Sequence, residues 1–199
     1  MMTHLSLESQ YTGQKIGIFS AINDIGAPAI PGSASYHEPG QFYALSGSGQ
    51  NIWMGEDSFS FLWKKMEGDI MIQARIDSIG PGTHPHRKTG IMIRSGLASD
   101  AAHVSCVIHG DGLASLQYRS KPEEDVQGLR FELAGPDVIH LEKKGNLFTV
   151  SVAREGELYV KKSIEVKLEG ELAAGRPTAK KSPLSVTEYL NKIKSNHDP

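Results

Sequence analysis

Apolar and polar residues alternate most regularly over Gly68–Ile79 (GDIMIQARIDSI), where Ile70, Ile72, Ala74 and Ile76 oppose Met71, Gln73, Arg75 and Asp77. Period-two alternation puts the two sets on opposite faces of a β-strand, one for a core and one for solvent. Further strands or short apolar runs are predicted at Ile16–Phe19, Phe42–Leu45, Asn51–Met54, Asp57–Met66, Gly128–Leu133, Val138–Lys143, Leu147–Arg154 and Glu157–Leu168. Turn residues separate them, notably Ser46-Gly47-Ser48-Gly49 and Lys144-Gly145-Asn146. Ala27–Gly40 holds too much Pro, Gly and Ser for a central strand and suits a loop lying across a sheet edge.

The stretch His84–Arg119 carries the sharpest prediction. Its last two apolar runs flank His109-Gly110-Asp111-Gly112-Leu113. A two-residue loop would mix apolar and polar residues on both faces of the hairpin. A three-residue loop with Gly112 left-handed pairs His109 with Leu113 and separates them. Val104, Cys106, Ile108, Ala114, Leu116 and Tyr118 then share one face. Ser105, Val107, His109, Leu113, Ser115, Gln117 and Arg119 share the other. A one-residue slip would exchange the faces, so the separation selects the three-residue loop.

After Gly170 the pattern changes. Ala173–Lys181 (AAGRPTAKK) reads as linker. Ser185-Val186-Thr187-Glu188 has capping-box spacing, and Val186, Tyr189, Leu190 and Ile193 share one helical face. A short helix near 185–194 is predicted. The division is therefore a β-domain over 1–170 and a linker with a short helical tail over 171–199.

Composition narrows the function classes. A formal charge of −2 gives no general attraction to nucleic acid or to an anionic membrane, so neither is expected as a partner. No apolar run approaches the roughly 20 residues that span a bilayer. The N-terminal MMTHLSLESQ has no basic region followed by an apolar stretch, which makes a cytoplasmic location the expectation. Cys106 is the only cysteine and falls on the apolar face, as a buried hydrophobe would.

Four stretches carry a family resemblance: NIWMGEDSFSFLWKKMEGDIMIQARI, HPHRKTGIMIRSGL, VIHGDGLASLQYR and PDVIHLEKKGNLFTVSVAREGE. Through them the chain resembles, over about Gly17 to Lys167, a bacterial domain of the concanavalin A-like lectin/glucanase superfamily. Such domains are found alone or appended to TolB-like proteins of the cell envelope. The resemblance implies an all-β, laminin-G-like jelly-roll sandwich of two antiparallel sheets, here with a C-terminal linker and short helix. It also implies carbohydrate binding on a concave sheet, with hydrolysis or polysaccharide lysis in some branches. It places the chain among proteins that are often envelope-bound or secreted. Relatives add a final pair of strands with a Gly-Leu-Phe-Val-like run, and AAGRPTAKKSPLSVTEYLNKIKSNHDP stands in its place. Residues 173–199 are therefore expected to cover that region of their own sandwich or to exchange with a second copy as a homodimer.

Candidate chemistry follows from the polar face. Arg94, His109, Gln117 and Arg119 offer the planar donors and acceptors that sugar hydroxyls and carboxylates require, rimmed by His86 and Arg87. An ordinary half-polar sheet face reads the same way. In the loop His84-Pro85-His86-Arg87-Lys88, Arg87 and Lys88 suit an anionic sugar or a cross-sheet ion pair, and two His at i, i+2 lack the further ligands of a metal site. Trp53 and Trp63 suit either stacking on a sugar or the core. Asp57 and Asp69 are the candidates for a calcium site, without a dense acidic run behind them. The Glu-x-Asp-x-x-Glu strand of family 16 glucanases is absent, and the nearest clusters, Glu155/Glu157 and Glu165/Glu169, lie in charged surroundings. The expectation is a non-catalytic module binding an oligo- or polysaccharide, with no catalytic residue, metal or cofactor assigned. The alternatives are a lyase or glycoside hydrolase on the same face, with His109 as acid–base, or a structural assembly domain.

Overall fold

The computed structural model of the protein describes residues 15–77, 87–179, 185–189 and 193–195, the last two segments by their backbone. The described elements are all strands. In chain order they are β1 Ala21–Ile25, β2 Ser33–His37, β3 Phe42–Ser46, β4 Phe59–Met66, β5 Ile70–Ile76, β6 Lys88–Ser95, β7 His103–His109 and β8 Ala114–Arg119. They continue as β9 Gln127–Arg130, β10 Val138–Lys144, β11 Leu147–Ala153, β12 Val160–Glu165, β13 Leu172–Ala179, β14 Ser185–Tyr189 and β15 Ile193–Ser195. Every pairing is antiparallel. The first sheet has the order β1-β4-β13-β6-β7-β8-β9. The second runs β12-β11-β10-β5-β14-β3-β2, with β15 also paired to β5.

One apolar core joins the sheets. Ile70, Ile72 and Ala74 of β5 meet Ile139 and Leu141 of β10, Val150 of β11, and Ile91, Ile93, Val104, Cys106 and Leu116 of the first sheet. The alternation in β5 is realised as expected: its Ile and Ala positions are buried, and Met71, Gln73 and Arg75 are only partly so. The β7–β8 hairpin takes the three-residue loop. His109 N donates to Leu113 O at 2.8 Å, Cys106 lies opposite Leu116, and Gly112 has φ of 87°. Cys106 is wholly buried, and that burial pushes its thiol pKa up.

Two expectations for the tail are corrected. The described part of Ala173–Lys181, read as linker, belongs to the strand Leu172–Ala179, which lies between β4 and β6 in the first sheet and is buried at all eight positions; residues 180 and 181 lie outside the described residues. Its small residues are what let it enter. A Cβ on Gly175 would sit 2.0 Å from Leu62 O, so β13 and β4 approach too closely there for a side chain. Pro177 has no N–H to donate, and the ladder to β6 lapses at residues 176 and 177. The short helix near 185–194 is not seen. Ser185–Tyr189 is extended and pairs with β3, and its last two residues also pair with β5, while Ile193–Ser195 pairs with β5.

Candidate functional site

The inner strands of the first sheet, β13, β6, β7 and β8, are buried on both faces. Strand alternation sends Lys88, Met92 and Arg94 of β6 away from the core, together with His103, Ser105 and His109 of β7 and Ser115, Gln117 and Arg119 of β8. Register lines them up. Lys88 lies opposite His109, and Arg94 opposite His103, which is opposite Arg119. The segment between β3 and β4 folds over this outer face. Ile52 is buried there in a second cluster with Phe59, Phe61, Trp63 and Met92. Trp63 is thus a core residue, its Nε1 donating to Asn23 Oδ1 at 2.8 Å.

At one end the face is sealed around Asp57. Arg119 Nη2 donates to Asp57 Oδ1 at 2.8 Å and Nη1 to Oδ2 at 3.0 Å, a two-pronged pairing. Its remaining donors reach Glu124 O at 2.7 Å, Ala101 O at 3.1 Å and Met54 O, so one guanidinium ties three loops to the sheet. Arg94 Nη2 reaches Ala98 O at 2.6 Å and Asp57 Oδ2 at 3.4 Å, with its guanidinium over the Phe59 ring. All these side chains are fully buried. Burial raises the Asp57 pKa above its ordinary value, against the Arg119 hydrogen bond and the Arg94 charge. Burial also lowers Arg94 to about 10, so it stays cationic at neutral pH.

His103 lies in the same cluster, its Nδ1 at 3.4 Å from Ala101 O. Burial first, then the charges of Arg94 and Arg119, hold its pKa well below the usual 6.5. The unfolded chain binds a proton at this imidazole below pH ~6.5 and the folded chain does not. Stability is therefore expected to fall on acidification, by up to ~1.4 kcal/mol per pH unit within that window. Urea unfolding at about pH 7.5 and about pH 5.5 should show the loss, and His103→Asn should reduce it. An equal loss in the variant would assign the effect to other groups, such as half-buried His140, whose pKa burial also lowers.

At the other end the face opens into a pocket of about 190 Å³, lined by Asn51, Trp53, Lys88, His109, Leu113, Ser115, Gln117, Gly128 and Arg130. Trp53 is 41% exposed, and Val126 N donates to its carbonyl at 2.9 Å, which fixes it beside β9. Lys88 Nζ lies 5.3 Å from the centroid of the Trp53 ring and donates to Ile52 O at 2.8 Å and Gln117 Oε1 at 3.3 Å. The Ser115 Oγ is buried without a hydrogen-bond partner among the described residues. Arg130, opposite Ser115 in register, is exposed.

The expected ligand residues therefore separate. His109 and Gln117 line the pocket. Arg94 and Arg119 sit in the sealed cluster as partners of Asp57, away from the pocket walls. Arg87 stands at the start of β6 with its guanidinium over Gly110, also off the walls, and His86 lies outside the described residues. Asp57 and Asp69 do not converge as a calcium pair would. Asp57 holds arginines, and Asp69 Oδ1 accepts from Gly145 N at 2.9 Å. Glu155 and Glu157 form surface ion pairs with Arg75 and Arg154. Ser115 and Arg130 were missed as site residues, although Ser115 had been placed on the polar hairpin face. Trp53 and Lys88, for which the sequence leaves a core or ion-pair role equally open, also line the pocket.

No family model and no curated protein sequence matches this chain. Among solved structures, a functionally unknown protein from Saccharomyces cerevisiae is similar with a TM-score of 0.66 at 14% identity, over 89% of this chain and 97% of that one. That likeness is one of fold. A lectin from Bauhinia forficata in complex with GalNAc has a TM-score of 0.45 at 11% identity, covering 85% and 89% of the two chains. A lichenase from a mouse hindgut metagenome has 0.45 at 11%, covering 76% and 78%. The lectin and the lichenase are jelly-roll folds of the concanavalin A-like type.

Proposed function

We propose that the protein is a non-catalytic carbohydrate-binding module whose ligand enters the pocket beside Trp53. The observation that carries this reading is a partly exposed indole forming one wall of a small pocket whose other walls are mostly hydrogen-bonding side chains, Leu113 and Gly128 apart. An aromatic face accepts the C–H side of a pyranose, and Gln117, His109 and Ser115 supply donors and acceptors for its hydroxyls. The pocket is smaller than the about 300–1,000 Å³ that buries a drug-sized ligand, so one sugar ring at most enters it. The resemblance of the sequence to concanavalin A-like domains of the bacterial envelope favours the same ligand class. In this reading Arg94 and Arg119 are positioning residues that hold the Trp53 loop on the sheet. The hydrolase alternative needs two carboxyl groups about 5–10 Å apart across a bound sugar, and none of the described lining residues is acidic.

A glycan array followed by product analysis tests the reading, with Trp53→Ala as the control. Binding without turnover is expected, and Trp53→Ala should weaken it about tenfold with the melting temperature little changed. Turnover of a bound glycan, or binding indifferent to Trp53, would overturn it.

A further inference from the structure

We propose that this pocket selects an acidic sugar and holds its anionic group between Lys88 and Arg130. The proposal rests on the carbohydrate reading and deepens it. It begins from a charge imbalance. Among the described residues Asp57 is the only buried acidic side chain. It faces Arg94 and Arg119 at hydrogen-bond distance, and Lys88, also buried, acts on it from further along β6. One buried negative charge thus stands against three buried positive ones, with half-buried Asp100 acting on Arg94 alone, and His103 between them is neutral. Buried charge without counter-charge is costly, and a ligand that brings the missing anion relieves that cost.

The imbalance is concentrated at the pocket. Arg119 has all five donors engaged at the sealed end, so neither it nor Asp57 can turn toward a ligand. Lys88 has three donors as an ammonium and spends two, on Ile52 O and Gln117 Oε1, leaving the third for the cavity. Its pKa is lowered to about 8 by burial, which only the Asp57 charge resists. Ser115 contributes a buried hydroxyl with no partner, and Arg130 opposite it makes no hydrogen bond or ion pair among the described residues. No described acidic residue lines the pocket to repel an anion. A carboxylate or sulfate entering beside Trp53 therefore meets an ammonium, a hydroxyl and a guanidinium. Each of those contacts is strengthened by partial exclusion of water.

The test is an array carrying uronate- and sulfate-bearing glycans beside their neutral counterparts, with sodium sulfate as soluble competitor and Trp fluorescence as a second readout. The expected result is binding at least about tenfold tighter to acidic glycans, weakened by salt. Arg130→Ala, an exposed substitution that leaves the core intact, should remove most of that preference, and so should Lys88→Met if that variant folds. Equal binding to neutral counterparts overturns the acidic preference and leaves the carbohydrate reading standing. A fluorescence response to sulfate with no glycan bound overturns the carbohydrate reading and the sugar assignment with it. An acidic preference that survives Arg130→Ala unchanged overturns the assignment of the anion to this pocket.

Discussion

Asp57→Ala is expected to destabilise the protein by about 3–5 kcal/mol, the cost of leaving buried cations without their carboxylate. At this chain length that lowers the melting temperature by roughly 10 °C. The size of the effect comes from geometry. Asp57 receives both prongs of Arg119 and the edge of Arg94, and none of the three side chains touches solvent. With the carboxylate gone, two guanidiniums and Lys88 face one another across a water-poor space. Thermal or urea unfolding measures it directly, and a loss below about 1 kcal/mol would mean that water reaches the arginines after all.

A ranking follows that a mere tally of ion pairs would not give. Arg94→Ala should cost less than Asp57→Ala, because Asp57 keeps its two-pronged partner and the face sheds one surplus charge. Two of the Arg94 nitrogens, Nε and Nη1, have no acceptor among the described residues even in the native chain. Asp57→Ala should also weaken glycan binding, since Arg119 ties Met54, Ala101 and Glu124 to the sheet and Trp53 precedes Met54. Trp53→Ala should weaken binding and keep the stability. The two variants together separate positioning from contact.

Much of the first sheet was legible because alternation is a local signal. The faces of β7 and β8, the turn at Gly112 and the shared orientation of Arg94, His109 and Gln117 all follow from residues close in sequence. Which end of that face is sealed was not legible. The seal depends on Asp57 meeting Arg119, 62 residues away, and on a loop whose only large apolar marks are Ile52, Trp53 and Met54. Trp53 and Trp63 have the same chemistry in the sequence. One is buried by β1 and the other left at the rim of the pocket. The tail misled for a different reason. Gly175 and Pro177 lower strand propensity, and the Ser-x-x-Glu spacing imitates a helix start, but hydrogen bonds from two neighbouring strands outweigh local preference.

A chain ending at Glu171 is therefore expected not to fold, whereas one ending at Ala179 should keep the first sheet. β13 lies between β4 and β6 and hydrogen-bonds to both, so its removal leaves β1-β4 on one side and β6-β7-β8-β9 on the other. Two inner edges would then present unpaired backbone, and the apolar surfaces over Leu172, Ala173, Ala174 and Ala179 would open. The pocket would go with them, because Lys88 pairs with Ala179 at the start of β6. Insolubility, or a circular-dichroism spectrum without a cooperative melt, is the expected behaviour of the shorter chain. The longer chain lacks β14, which joins β3 to β5 in the second sheet, and should melt at a lower temperature than the full chain. A chain ending at Glu171 that stays soluble and melts cooperatively would show that β4 and β6 can close on each other, and that β13 is an addition to the sandwich rather than its centre.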